Sequence, residues 1–194
     1  ASVYVNDDLA GAGKAFYDKR SGIIAILGTG SNAGCYDGNA IGKRALSLGY
    51  LLGDEGSGYH LSKELIRKTL NRKLPGHICN AFQVKYGQNI QEILDRVYIQ
   101  AAPHRYIASF LPFYLHFMDE PPVRKVVTRC FSEFIERMIL PLTKHCPHYP
   151  ISLTGSVAYH FKTSLVEVFN SFGLPAPYIF NDTINRLAKQ AISK

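Results

Sequence analysis

The sequence lacks the features that would place it in a membrane or around a metal ion. Its 194 residues contain no apolar run near the roughly 20 residues that a membrane-spanning helix needs. The first ten residues have no basic segment followed by an apolar one, so we expect no signal peptide. The four cysteines form no CxxC pair, which favours reduced thiols over disulfides, a zinc site or an iron–sulfur cluster. We therefore predict a cytoplasmic protein with no membrane partner.

Charge is not concentrated along the chain either. The formal net charge is +7, yet no run of five basic residues occurs. This spread argues against a nucleic-acid partner and leaves a solvated basic surface or a modest attraction for an anionic ligand such as a nucleotide. The segment from His145 to His148 holds metal-ligand residue types, but Pro147 breaks the helix that would align them, so we predict no metal site. The other five histidines, His60 among them, are isolated and are assigned no chemistry.

A glycine-rich loop follows the most strand-like segment of the chain. Residues 23–27 are apolar and rich in β-branched side chains, which predicts a buried strand. Gly28 and Gly30 come directly after it, where they let the chain turn tightly and let backbone N–H groups approach a bound group. Thr29 and Ser31 add hydroxyl groups. A nest of N–H groups of this kind is typical of an anion site, most often for phosphate.

A second glycine-spaced loop, GDEGSG at residues 53–58, comes about twenty residues later. It places Asp54 and Glu55 just before a helix that we predict from about Ser57 to Leu70, because apolar residues in this segment form a helical stripe. One Gly-Thr-Gly alone would be a weak signal. Two such loops at this spacing predict a phosphate loop and an acidic site that share one cleft.

Two further segments have both a functional and a structural interpretation. A short strand is predicted at residues 151–153, and the glycine turn after it leads into a helix predicted to about Phe169. Such a turn suits a ribose or a phosphate at the helix N-terminus, although an ordinary strand–helix connection also needs one glycine.

Asp8 lies at the start of a helix predicted over residues 9–17. It is either the N-cap of that helix or a carboxylate facing the crevice where α/β sheets bind ligands.

The remaining elements are predicted from turn residues and helical periodicity. Asp37-Gly38-Asn39 separates residues 31–36 from residues 40–44, which predicts a β-hairpin. Residues 79–146 form a largely helical subregion in which Glu133 and Arg137 are spaced to pair on one helix. Its helices are predicted at residues 79–86, 90–98, 103–118 and 122–144. Outside it we predict a strand end at residues 3–5, a turn at residues 175–177 and a last helix ending near Ile192.

Four segments together resemble a known family. They are VNDDLAG at residues 5–11, LGTGSN at 27–32, LGDEGSG at 52–58 and LTGSV at 153–157. They resemble the BadF-type ATPase and N-acetylglucosamine kinase family of the sugar kinase, actin and Hsp70 superfamily, from Asn6 to about Asn170. The GTGSN and GDEGSG pair is specific to this family, whereas the last segment is not. The resemblance implies an α/β fold, namely a ribonuclease-H-like (actin-like ATPase) domain with a mixed sheet and a largely helical insertion or second half.

The resemblance also implies an activity, the ATP-dependent phosphorylation of an amino sugar such as N-acetylglucosamine or glucosamine, with ATP and Mg²⁺ as cofactors. In the family's pattern Asp8 is the general base that acts on the sugar hydroxyl. The other implied roles are phosphate binding by Gly28, Thr29, Gly30 and Ser31, sugar binding by Asn32, Asp54 and Glu55, and adenosine binding by Gly155, Ser156 and Val157. This set is chemically coherent, because phosphoryl transfer needs positioning and charge stabilisation more than covalent help.

The chain departs from the family in two places. The family begins with a strand and a glycine-rich loop of the DGGGTKT type that holds phosphate and magnesium, and this chain has no such segment. We therefore expect residues 1–194 to be the C-terminal actin-like ATPase domain of a larger kinase, inactive without its N-terminal domain; a homodimer is a further possible assembly. Leu48-Gly49-Tyr50 stands where many relatives carry Gly-Trp-Gly, which leaves the sugar open.

Two other functions compete with this one. An ATPase that activates an iron–sulfur dehydratase is known in the same broad family, but it would need cysteines placed to hold a cluster across a dimer. The cysteines of this chain are not paired near either loop. A non-catalytic module that binds a sugar or a nucleotide is the third hypothesis, and the presence of Asp8 and of both loops argues mildly against it.

Overall fold

The computed structural model describes residues 7–87 and 89–192, so the strand end expected at residues 3–5 lies outside the described residues. In chain order the elements are α1 (Asp8–Tyr17), β1 (Gly22–Leu27), β2 (Ser31–Tyr36), β3 (Ile41–Arg44), α2 (Gly49–Leu52), α3 (Gly58–Leu70), α4 (Gly76–Tyr86), α5 (Ile90–Tyr98), α6 (Pro103–Ala108), α7 (Leu111–Leu115), α8 (Pro121–Phe134), a π-helical turn (Ile135–Ile139), α9 (Leu140–His145), β4 (Ile151–Thr154), α10 (Ser156–His160), α11 (Lys162–Ser171), β5 (Tyr178–Phe180) and α12 (Thr183–Ile192). Within these residues no helix combines the length and the apolar character that crossing a membrane requires.

The strands form a mixed sheet in the order β3-β2-β1-β4-β5. The pairs β1–β2 and β2–β3 are antiparallel, so the predicted hairpin is confirmed, while β1–β4 and β4–β5 are parallel. The α/β class and the mixed sheet are therefore as predicted. Strand β5 was not predicted, because its three residues follow a proline-rich turn and are too few to show a period of two.

Both faces of the sheet are covered, which is why the sequence of β1 is apolar almost throughout. Ile23, Ala25 and Leu27 belong to the large core between the sheet and the helical subregion. Ile24 points to the opposite face, where it packs in a second core with Leu9 of α1. The alternation follows from the period of two along a strand, and burial on both sides removes the polar positions that a half-exposed strand would show.

The parallel pairing of β1 with β4 places two loops side by side. Ile26 lies opposite Thr154, so both strands end at the same edge of the sheet. Gly155 follows β4 with a φ of 104°, and a Cβ atom there would collide with the carbonyl oxygen of Leu27. Only glycine accepts both constraints. The chain after β4 is therefore held directly against the end of β1, where the loop at residues 28–30 begins.

The helical subregion is more interrupted than its periodicity predicts. Residues 103–118 form α6 and α7 instead of one helix, whereas residues 121–145 are helical throughout, with the π-helical turn between α8 and α9. Pro112 and Pro141 lie at the starts of α7 and α9. Proline has no N–H to donate to the preceding turn and its ring crowds the carbonyl four residues earlier, so a regular α-helical hydrogen-bond pattern cannot pass through either position. The π-helical turn, with its i→i+5 hydrogen bonds, widens the helix just before Pro141.

Candidate active site

A polar cavity of about 370 Å³ lies at the carboxyl end of β1. The residues that line it are Asp8, Ile26, Gly28, Thr29, Gly30, Ser31, Asn32 and Asp54. The structure thus brings together, around one space, side chains and backbone from three segments that are far apart in sequence. Glu55 is not among the lining residues, although sequence analysis grouped it with Asn32 and Asp54 as a sugar ligand.

A second cavity, of about 310 Å³ and mainly apolar, lies next to the same loop. Gly28 and Thr29 line both cavities. The other residues of the second cavity are Gly58, Ala108, Leu111, Pro112, Leu115, Ser156, Val157, His160 and Phe161. Ser156 and Val157 are thus placed beside the loop, with Gly155 making the turn that precedes them. The wall supplied by α6 and α7 was missed, because a helical stripe in sequence does not reveal which cavity it faces.

The two glycine loops are joined by backbone hydrogen bonds. The N–H of Gly58 donates to the carbonyl of Gly28 at 2.8 Å, and the N–H of Tyr59 donates to the carbonyl of Thr29 at 3.1 Å. Within the first loop the N–H of Gly28 donates to the carbonyl of Gly30 at 3.0 Å. The first turn of α3 therefore fixes the loop after β1, and the shared cleft expected from the spacing of the loops is present.

Gly28 and Gly30 form the tight turn between β1 and β2 without an unusual backbone. Neither has a φ in the left-handed region, and the hydrogen bond from the N–H of Gly28 to the carbonyl of Gly30 closes the predicted turn. A Cβ atom on Gly30 would lie 2.8 Å from Oδ2 of Asp54. A Cβ atom on Gly28 would meet nothing within 4 Å. Glycine at position 28 thus leaves open the space that the two cavities share.

Asp54 presents a carboxylate to the polar cavity from a strained backbone. Its φ of 57° lies in the left-handed region that non-glycine residues rarely adopt. Burial raises the pKa of Asp54, and the neighbouring charge of Glu55 raises it further, while a hydrogen bond from the backbone N–H of Ser31 opposes the shift. The carboxylate oxygens can accept hydrogen bonds from hydroxyl groups of a bound molecule.

Glu55, next in the chain, is buried and directed elsewhere. Its Oε1 lies 3.3 Å from Nη1 of Arg137 in the π-helical turn. The predicted pair between Glu133 and Arg137 is therefore wrong, since Glu133 instead lies 3.6 Å from Arg129, one turn earlier on α8. The interruption of the helix after α8 explains the change, because the expected spacing holds only along a continuous α-helix.

The two adjacent acids at the start of α1 have different environments. Oδ1 of Asp7 accepts a hydrogen bond from the N–H of Ala10 at 2.8 Å, and Oδ2 of Asp7 pairs with Arg44. Asp7 is thus the N-cap, and the interpretation of Asp8 as the cap is wrong. Asp8 is the first residue of the helix, is exposed, and lines the polar cavity.

His60, to which the sequence assigned no chemistry, holds the second loop in place. Its Nδ1 accepts a hydrogen bond from the N–H of Gly56 at 3.1 Å, and its Nε2 lies 3.6 Å from the Glu133 carboxylate. Burial is the main cause that lowers the pKa of His60 to about 4. The imidazole is therefore neutral at pH 7, with a free lone pair on Nδ1 for Gly56. No pattern in the sequence marks this contact, because it depends on the fold of the loop.

The titration of His60 predicts a pH-dependent stability. Between pH 6.5 and about 4 the unfolded chain binds a proton at this position and the folded chain does not, so stability falls as the pH falls. From pH 7.5 to 4 the loss from this one group is about 3 kcal/mol. Denaturant unfolding at both pH values should show a difference of this size between the wild type and His60→Gln, whose amide oxygen can still accept from Gly56.

His148→Gln is the matched control for that measurement, because His148 is exposed. Its pH profile should follow that of the wild type. Equal pH dependence in His60→Gln and the wild type would contradict the prediction.

Clustered metal ligands are not found in the part of the chain that the structure describes: no group of three or more His, Cys, Asp or Glu side chains there could hold an ion. Mg²⁺ commonly needs only one or two carboxylates when it enters with a nucleotide, since phosphate oxygens and waters supply the other ligands. The carboxylates of Asp8 and Asp54 beside the loop fit that requirement.

Comparison with solved structures defines the class of protein. The chain matches a candidate N-acetylglucosamine kinase from Porphyromonas gingivalis with a TM-score of 0.89 and 35% sequence identity, over 94% of this chain and 64% of that one. A candidate N-acetylglucosamine kinase from Chromobacterium violaceum matches with a TM-score of 0.61 and 22% identity, over 86% of this chain and 60% of that one, and shows the fold alone. The chain has the actin-like ATPase fold of the sugar kinases, as predicted.

Sequence comparison agrees with this class. The chain is 34% identical over 118 residues to the N-acetylmuramic acid/N-acetylglucosamine kinase of Clostridium acetobutylicum, a match that covers 55% of this chain and 36% of that enzyme. The resemblance to the N-acetylglucosamine kinases is thus confirmed. A shorter match, 27% identical over 88 residues, covers 20% of a dihydroorotase from Methanothermobacter thermautotrophicus. No family model matches the chain. The chain spans about a third of the curated kinase and 64% of the first structure.

Proposed function

We propose that this chain carries the sugar-binding and nucleotide-binding elements of an ATP-dependent kinase that phosphorylates an amino sugar such as N-acetylglucosamine or glucosamine. One observation carries the proposal: a polar cavity and an apolar cavity meet at Gly28 and Thr29. With a sugar bound in the polar cavity and a nucleoside bound in the apolar cavity, the transferred phosphate would lie at that loop, between the two. The relatives named as N-acetylglucosamine kinases support the same activity.

On the polar side we assign the chemistry to three side chains. Asp8, exposed at the start of α1, accepts the proton of the sugar hydroxyl that attacks the phosphate. Asp54 and Asn32 accept and donate hydrogen bonds to the other hydroxyl groups and hold the sugar in register. Reaction of two bound groups in a fixed geometry removes much of the entropic barrier.

Around the phosphate we assign binding to the loop at residues 28–31, through the backbone N–H groups of Thr29 and Gly30 and the hydroxyl group of Thr29. Gly28 and Ser31 shape the loop, because the N–H of Gly28 and the hydroxyl of Ser31 already donate within the protein. Charge that develops on the phosphate oxygens is stabilised by donors already in position. Mg²⁺ that entered with the nucleotide would neutralise phosphate charge, and Asp54 would be the carboxylate beside the loop that could hold it, because Asp8 is assigned to the sugar proton.

On the apolar side we assign the nucleoside to the cavity between α7 and α10. Leu111 and Leu115 form one wall and Val157 the other. An aromatic base gains from burial between such apolar side chains, while Ser156 supplies a hydroxyl at its edge. Gly155 permits the close approach of this segment to β1.

The domain organisation is part of the proposal. Residues 1–194 would form the C-terminal actin-like ATPase domain of a two-domain kinase, with the helical subregion at residues 79–146 covering the nucleoside. The support is the match over 94% of this chain but only 64% of the related structure. The first phosphate loop, of the DGGGTKT type, would then belong to the other domain of the natural protein.

The dehydratase-activating ATPase has no comparable support. Cys35, Cys79 and Cys130 are buried, and Cys146 is partly buried. A cluster held across a dimer would need thiols at a surface, and none of these residues lines either cavity.

Calorimetric titration of the full-length protein tests the proposal. N-acetylglucosamine, glucosamine and ADP are titrated separately and together, and phosphoryl transfer from ATP is then assayed with each sugar. We expect one amino sugar and ADP to bind simultaneously and transfer to follow. Asp54→Asn should lower the affinity for the sugar and leave the affinity for ADP nearly unchanged. Binding without transfer would favour the non-catalytic module, and absence of binding by both amino sugars would overturn the proposal.

A further inference from the structure

The segment from the end of α8 through the π-helical turn touches both loops of the site. On the first loop, the hydroxyl of Ser31 donates to Sδ of Met138 at 3.4 Å, and both groups are buried. Gly30, the residue before Ser31, lies so close to Asp54 that a Cβ atom on it would be 2.8 Å from Oδ2 of that carboxylate. These two consecutive residues thus connect the π-helical turn with the carboxylate that faces the polar cavity.

On the second loop, the same turn holds Glu55 through Arg137. The side chain of Glu55 is 12% exposed and that of Arg137 is 63% exposed, so a buried carboxylate is anchored to a guanidinium at the surface. A buried carboxylate without a partner is costly, and this contact therefore constrains the backbone at position 55. That backbone adjoins Asp54, whose left-handed conformation needs support from its surroundings.

A third contact comes from the end of α8. Phe134 packs so closely on Gly56 that a Cβ atom there would lie 2.8 Å from the Cβ of Phe134. Glu133, its neighbour, lies beside Nε2 of His60, whose other ring nitrogen accepts from Gly56. Consecutive positions 55 and 56 are therefore held from consecutive turns of a single helical segment.

We propose that Glu133, Phe134, Arg137 and Met138 of this segment form the positioning element of the site, and that Glu55 acts through Arg137 instead of contacting the sugar. Its role is to set the position of Asp54 relative to the loop at residues 28–31. A π-helical turn places side chains at a spacing that a regular α-helix does not offer, and such turns occur frequently at functional sites. The proposal rests on the proposed function of the same site.

The expected consequence is kinetic, because displacement of a substrate-positioning group by about 1 Å can cost on the order of 10²-fold in rate. Arg137→Gln and Glu55→Gln should each lower kcat/KM for the sugar by about 10-fold to 10²-fold. The double variant should lose little more than either single variant, since both remove the same contact. Arg137→Lys should recover part of the loss, because it keeps the charge. Affinity for ADP should change much less.

Glu136→Gln is the matched control, because Glu136 is exposed on the same turn. It should leave kcat/KM unchanged. A strong loss of sugar affinity in Glu55→Gln but not in Arg137→Gln would show that Glu55 contacts the sugar directly, and the proposal would be wrong. The same conclusion would follow if the losses of kcat/KM in the two single variants added in full in the double variant. Wild-type rates in both variants would also overturn it.

Amide hydrogen exchange without ligand separates this proposal from the proposed function. In Arg137→Gln we expect faster exchange in the loop at residues 53–58 than in the wild type and in Glu136→Gln. This result is expected whatever the protein phosphorylates. Unchanged exchange in that loop would contradict the positioning role, whereas a failure of the sugar titration alone would contradict only the proposed function.

Discussion

Replacing Asp8 with asparagine should lower kcat for sugar phosphorylation by about 10²-fold to 10⁴-fold, the range that a general base contributes. Asparagine keeps the size of the side chain and one acceptor oxygen, but it cannot take a proton from the sugar hydroxyl. Sugar and nucleotide affinity should therefore change little. The fold should also be unaffected, because Asp8 is exposed and the cap of α1 is a different residue.

Asp7→Asn is the companion variant, and the structure makes it more informative than the sequence did. Asparagine caps a helix about as well as aspartate, so the hydrogen bond to Ala10 can be kept. The ion pair with Arg44 would be lost, but both side chains are about two-fifths exposed and such a pair contributes about 0–1 kcal/mol. Near-normal activity is expected.

Single-turnover measurements of both variants decide between the two acids. Loss of transfer in Asp8→Asn with normal transfer in Asp7→Asn supports the assignment. Near-normal transfer in Asp8→Asn removes Asp8 from the mechanism, and a loss confined to Asp7→Asn would identify the neighbouring acid as the base.

Gly28→Val should reduce affinity for ADP by about 10-fold to 10²-fold, which corresponds to an overpacking cost of about 1–3 kcal/mol. The new methyl groups would occupy open space beside the loop, because Gly28 lines both cavities and a Cβ atom on it meets no protein atom within 4 Å. The backbone is not left-handed there, so valine brings no φ strain. Thermal unfolding should remain close to that of the wild type, and calorimetry measures the loss of ADP binding.

Gly30→Val provides the comparison, and the structure changes which ligand we expect this substitution to affect. From the sequence, valine at position 30 would block the nucleotide. In the structure its Cβ atom would lie against the carboxylate of Asp54, so the larger loss should be in sugar affinity.

Unchanged ADP affinity in a folded Gly28→Val protein would contradict the assignment of residues 28–31 to phosphate.

The elements with strong local signals were predictable. Residues 23–27 lie within β1 because a β-branched apolar run favours a buried strand, and the start of α3 follows from Ser57, whose hydroxyl accepts from the N–H of His60. The end of α6 and the π-helical turn could not be placed in the same way. Pro112 and Pro141 are visible in the sequence, but the apolar period continues through both, and a proline can either end a helix or be accommodated by a local change in the turn.

The site shows the same division between local and long-range information. Glycine spacing alone led to the loop at residues 28–31 and to Asp54, which line one cavity. The direction of the Glu55 side chain could not be predicted, because it depends on Arg137, which lies 82 residues further along the chain. His60 was missed for a related reason: its partner is a backbone N–H whose orientation exists only in the folded loop.

The wall formed by Gly28 and Thr29 has a thermodynamic consequence. Under the proposed function, one stretch of backbone borders both the sugar and the nucleotide, so a ligand that displaced this stretch would change the binding of the other ligand. Linkage then requires that the factor by which the sugar changes nucleotide affinity equals the factor by which the nucleotide changes sugar affinity. Substitutions at these two positions would alter both affinities together. A new sugar preference that leaves nucleotide affinity intact would therefore require substitutions at residues that border the polar cavity alone, such as Asn32 and Asp54.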